Sequence, residues 1–106
     1  MEAKERSNTK WYHYVANFLA GMILANVVPH YVNGISGNPF PSPFGNPPGL
    51  GNSSPLSNVL WGALNIVIGY LLFRFSKISD KRTVSLIIFF AGIVCQGVIL
   101  SIAFSR

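Results

Sequence analysis

The side chains of this chain able to take up or release a proton near neutrality are few and far apart: His13, His30 and Cys95. His30 directly follows Pro29 and has Asn33 three residues on. An imidazole in that setting can serve as a general base, a metal ligand or a proton-responsive group, or it can bond loop carbonyls and fasten a loop. Catalysis would need a group to orient it or share its proton, and no Asp or Glu occurs from residue 6 to residue 79. One cysteine and two distant histidines do not make an ordinary zinc site, and a single cysteine excludes an internal disulfide. A phosphate-binding loop, a dinucleotide fingerprint and a nucleophile motif are also missing from the sequence. No catalytic residue, metal or cofactor is therefore expected. The remaining polar candidates are amides, so His30, Asn33, Asn58, Asn65 and Gln96 stand as a possible functional polar cluster.

The charges say where such a cluster must sit. Only 11 of the 106 residues are Asp, Glu, Lys or Arg, well under the roughly 25% of a soluble domain. They fall between Glu2 and Lys10, between Arg74 and Arg82, and at Arg106, leaving Trp11 to Phe73 and Thr83 to Ser105 without one. A bilayer core takes about 20 apolar residues as a helix, and the uncharged blocks hold three such stretches. We expect an all-α membrane protein forming a single membrane domain over residues 1–106. Its spans are placed at about 11–28, 56–73 and 83–104, with a loop cap at 29–55 and a cytoplasmic connection at 74–82. Pro29 is expected to stop the first span, which is read as a retained signal anchor rather than a cleaved signal peptide.

Lys4, Arg6 and Lys10 precede the first span, and Arg74, Lys77, Lys81 and Arg82 lie between the second and third. The positive-inside rule makes that side cytoplasmic, which puts the uncharged loop and the C-terminus outside. Basic residues beside a membrane favour its anionic surface, so the formal net charge of +5 needs no nucleic acid as partner.

Helices in lipid associate through close approach at small residues and through interhelical hydrogen bonds. Asn58, Gly62, Asn65 and Gly69 share one face of the second span, as Ser85, Gly92, Gln96 and Ala103 do in the third. The first span offers His13, Asn17, Gly21 and Leu24, with Asn26 expected on its opposite side. Such polar side chains should turn inward or toward a partner chain.

Residues 29–55 read PHYVNGISGNPFPSPFGNPPGLGNSSP, a proline-rich and glycine-rich run that excludes regular helix or strand through most of its length. It carries no charge but has Tyr31, Ile35, Phe40, Phe44 and Leu50 as apolar anchors, unlike a disordered segment. We expect an ordered cap with Phe40 and Phe44 in the interfacial region, and Gly34, Gly37 and Gly45 in conformations closed to other residues. Ser53, Ser54, Pro55 and Ser57 supply the start of the second span.

The run from Pro29 to Gly37, continued by Pro39-Phe40-Pro41-Ser42-Pro43-Phe44 and by Asn58-Val59-Leu60-Trp61-Gly62 with Asn65, resembles a group of small bacterial multi-pass membrane proteins of unassigned function. The resemblance covers roughly residues 15–73 and implies a bacterial cytoplasmic (inner) membrane, with no particular activity. It also implies that His30, Asn33, Gly34, Gly37, Phe40, Phe44, Trp61 and Asn65 form one connected feature. The functional expectation is a non-enzymatic structural or interaction component in the lipid bilayer, self-associating as a homo-oligomer or joined to a membrane-protein partner. The alternatives are a homo-oligomeric transporter or channel for a small neutral or hydrophobic solute, and a lipid-binding or enzymatic site at His30.

Overall fold

The computed structural model describes residues 10–76 and 82–105. Three helices dominate it: α1 (Trp11–Ile35), α2 (Pro55–Phe75) and α3 (Arg82–Ala103). Each contains a stretch long and apolar enough to cross a membrane. Between α1 and α2 a two-residue strand β1 (Phe40–Pro41) pairs antiparallel with β2 (Asn52–Ser53), Phe40 opposite Ser53 and Pro41 opposite Asn52. Much of the connection expected at 74–82, with Lys77 and Lys81, lies outside the described residues, as do Lys4, Arg6 and Arg106.

Local chemistry explains the helix ends. At the start of α1 the Lys10 backbone N–H donates to His13 Nδ1 at 2.8 Å, so His13 does at the third helical position what Glu or Gln does in a capping box. Ser54 caps α2, its Oγ accepting the Ser57 N–H at 3.1 Å, and Pro55 occupies the first helical position, where no N–H is needed. The end of α1 is a Schellman turn. Gly37 sits at φ 77°, the Asn38 N–H donates to Asn33 O and the Gly37 N–H to Gly34 O, satisfying carbonyls the helix leaves open.

That turn corrects the expected end of the first span. The helix runs through Pro29 to Ile35, so His30, Asn33 and Gly34 belong to α1 and the connection is the shorter 36–54. Proline costs a helix one hydrogen bond and some steric room, a loss that packing can offset. Here the last two turns of α1 lie hard against α2: a Cβ added to Gly34 would meet Pro55 O at 2.8 Å, and one at Gly62 would touch Tyr31 at 3.4 Å. Gly34 is thus helical, needed for close approach rather than for a left-handed backbone. Gly45 likewise stands where its Cβ would strike the Gly51 carbonyl, whereas Gly37 and Gly49 do take positive φ.

The contacts group the chain into two compact units. In the unit of Asn26–Val67, the end of α1, the β1–β2 hairpin and the start of α2 pack together. In the unit of Met1–Ala25 with Ile68–Arg106, α1 crosses α3 at paired glycines. A Cβ on Gly21 would strike Phe89 O, and one on Gly92 would strike Phe18 O, so the two backbones touch with no side chain between them. Leu24 packs on Gly69 of α2. Near the α1 start, the Tyr12 and Phe75 rings stack at 6.1 Å, and Arg74 donates to Tyr70 Oη at 2.9 Å.

Polarity is distributed opposite to that of a water-soluble protein. Among the described residues only Ala16 and Ala20 are buried apolar side chains, against eight buried polar ones: His13, Asn17, His30, Ser42, Asn58, Asn65, Ser76 and Ser85. Large apolar residues such as Leu60, Leu71, Ile87, Val94 and Ile102 face outward, and almost none of the most apolar stretch of α3 is buried.

Candidate functional site

The densest polar arrangement lies in the unit of Asn26–Val67 and centres on Asn58, which is fully buried. It projects from the first turn of α2, where the helix start brings it under the hairpin. Its Nδ2 is within donor range of Phe40 O (3.0 Å), Ser54 O (3.1 Å), Ser53 O (3.3 Å) and Ser53 Oγ (3.1 Å). Three of these are carbonyls, which only accept, so the amide nitrogen must be on that side. The oxygen then faces His30, whose Nδ1 lies 2.7 Å away. The consequence is a fixed direction: His30 Nδ1 carries a proton and donates it to the amide oxygen.

His30 is itself buried, 4% exposed, with Phe40 edge-on at 5.4 Å and Trp61 edge-on at 6.5 Å. Phe44 continues the series, edge-on to Trp61 at 5.6 Å. Edge-to-face pairs of this kind place a positive ring edge on a negative ring face. The hairpin is held by hydroxyls: Ser42 and Ser53 bond one another at 2.6 Å, and Ser42 Oγ accepts the Phe44 N–H at 3.1 Å. The loop is thereby tied to α2 through Asn58 and to α1 through His30. The histidine reaches the loop by way of the amide rather than by bonding loop carbonyls itself.

The other expected cluster members are spread out. Asn33 donates to Pro29 O within α1 at 2.7 Å and is not joined to Asn58. Asn65 is buried, donates to Trp61 O at 2.7 Å and accepts from Asn26 at 3.5 Å. Gln96 belongs to the other unit, half-buried on α3. Of the residues expected in the cap, Phe40 and Trp61 surround His30, Phe44 lies one ring further out and is 64% exposed, and Gly34 and Gly37 shape the end of α1.

Asn26, expected on the side of α1 opposite Asn17 and Gly21, donates to Asn65 of α2, and His30 four residues on meets α2 through Asn58. One feature escaped the sequence reading. Ser42, 2% exposed, is the pivot of the hairpin; its signal was being the lone hydrogen-bonding side chain within PFPSPF.

In the second unit Asn17, 1% exposed, donates to Ser85 O at 2.5 Å, while its Oδ1 has no partner. This joins the fourth residue of α3 to α1 one turn from the glycine crossing. Among the described residues no group of three or more His, Cys, Asp or Glu could hold a metal ion.

Chemically, the His30–Asn58 pair holds the imidazole in one orientation, its Nδ1–H toward the amide oxygen. An amide cannot take the proton as a carboxylate could, so the arrangement is suited to fastening rather than to proton relay. Comparison of the chain with protein-family models, curated proteins and solved structures finds no match.

Proposed function

We propose that this chain is a small integral membrane protein that acts as a structural or interaction component, its three helices crossing a bacterial cytoplasmic membrane and its loop 36–54 locked as a cap on the outer face. The observation that carries this reading is the inverted distribution of polarity. A molecule with its amides, hydroxyls and imidazoles inside and its Leu, Ile, Val and Phe outside would expose a large apolar surface to water. In lipid the same arrangement satisfies the polar groups and leaves the apolar ones in their own solvent.

Lengths agree with this placement. Helices of 21 to 25 residues rise about 1.5 Å per residue and so match a hydrocarbon core of about 30 Å. The basic residues at Lys10 and Arg74 favour a cytoplasmic N-terminus, which sends the cap and the end of α3 to the other side. Bacterial origin rests on the resemblance of the PHYVNG…PFPSPF…NVLWG pattern alone.

A structural role is favoured over a solute path because Asn58 and Asn65 spend their polar atoms on bonds within one unit. Self-association is the proposed form of interaction; the face of Asn58, Gly62, Asn65 and Gly69 already meets α1, so a second copy would use the other faces of α2 and α3. The test is the mass of the full chain purified in mild detergent: a homo-oligomer or a stable membrane partner supports the reading, and a lone monomer contradicts the interaction role.

A further inference from the structure

Beside the cap, the outer face of α2 carries an open groove of about 310 Å³ lined by Phe44, Ser57, Leu60, Trp61 and Leu64. We propose that this groove seats one acyl chain of an outer-leaflet phospholipid. The inference rests on the membrane reading above and adds a defined lipid site to it.

Three features commit the groove to this occupant. First, its polarity runs in one direction: Ser57 stands at the α2 start, followed by Trp61 and Leu60 and then Leu64 two turns along. Those seven residues rise about 10 Å, and the change from a hydroxyl to aliphatic carbon has the order met on passing from a lipid's ester region into its chain. Second, the groove is continuous with a face that a bilayer would cover, since Leu60, Leu64 and Val67 are all exposed on the same helix. An acyl chain is then the neighbour present at highest concentration, and the volume is at the lower end for a small-molecule site.

Third, the far wall is built rather than borrowed from a loose loop. Phe44 is held by its own N–H on Ser42 Oγ and by its edge contact with Trp61, and Ser42 is buried and bonded to Ser53. With no charged residue from Trp11 to Phe73, the site selects for the chain and not for headgroup charge.

The experiment uses the full chain in phosphatidylcholine vesicles doped with a phosphatidylcholine bearing a diazirine on one acyl chain, with cross-links mapped by mass spectrometry. The reference is Val98 and Ile102, which are exposed on α3. The proposal expects cross-links concentrated on Phe44, Leu60 and Leu64, with the excess over α3 falling about fivefold when Phe44→Ala removes an aromatic wall. Leu64→Trp, which fills the groove without touching the cap, should have the same effect. Equal yields on the groove and on α3 in the unaltered chain would overturn the seat while leaving the membrane reading intact. Cross-links on α3 but none in the groove would also overturn it, and would assign the groove to a protein contact. A chain that stays in the aqueous fraction and cross-links nowhere would overturn the membrane reading and this inference together.

Discussion

At the scale of single residues, Asn58 decides how the loop is held. It accepts from His30 and donates toward three carbonyls and a hydroxyl, so its loss strands several buried groups at once. Replacing it with Leu, which keeps the volume, is expected to destabilise the chain by about 1–3 kcal/mol, measured by denaturant titration in detergent with Trp61 as reporter in a Trp11→Phe background. Asn58→Asp should be no better, because a carboxylate oxygen would face the carbonyls that the amide nitrogen now satisfies. A second prediction concerns Ser42: a cysteine there in an Asn58→Leu background should gain thiol reactivity, while the same cysteine with Asn58 intact stays protected. These residues were only partly legible in the sequence. Asn58 stands out as an amide on a small-residue face and His30 as a lone imidazole, but their pairing depends on α1 continuing past Pro29. Ser42 could not be weighted, since a serine between prolines is buried only when a hairpin closes over it.

At the scale of elements, the α1–α3 contact is set by backbone touching backbone. Gly92→Ala adds a methyl where Phe18 O lies, and is expected to cost about 1–3 kcal/mol through forced separation of the helices. Gly97→Ala, five residues along the same helix, meets nothing within 4 Å and should gain up to about 1 kcal/mol from helix propensity alone. Equal effects from the two substitutions, read in the same unfolding assay, would contradict the crossing described here. The small-residue faces were legible because their spacing is strictly helical: Asn58, Gly62, Asn65 and Gly69 each meet α1. The end of α1 was not. A proline is a strong local stop signal, yet the Gly37 turn and the packing of Gly34 and Tyr31 on α2 outweigh it, and that packing is invisible until the two helices are placed together.

For the molecule as a whole, three apolar helices were legible from the scarcity and clustering of charge, because charge confined to short segments leaves long uncharged stretches that only apolar helices of this length fill. Which polar groups would meet was less so, since α1 turns one face to α3 and another to α2. The molecule we propose is a membrane protein with polar groups inside, apolar groups outside and a cap on the side away from the basic residues. The most direct test is cysteine accessibility in intact cells, using a Cys95→Ala background and single cysteines at Ser36 and at Ser79. A membrane-impermeant thiol reagent should label the cysteine at position 36 from outside, and should reach the one at position 79 only after the membrane is opened. Labelling of position 79 from outside intact cells, or no labelling of position 36, would contradict the account.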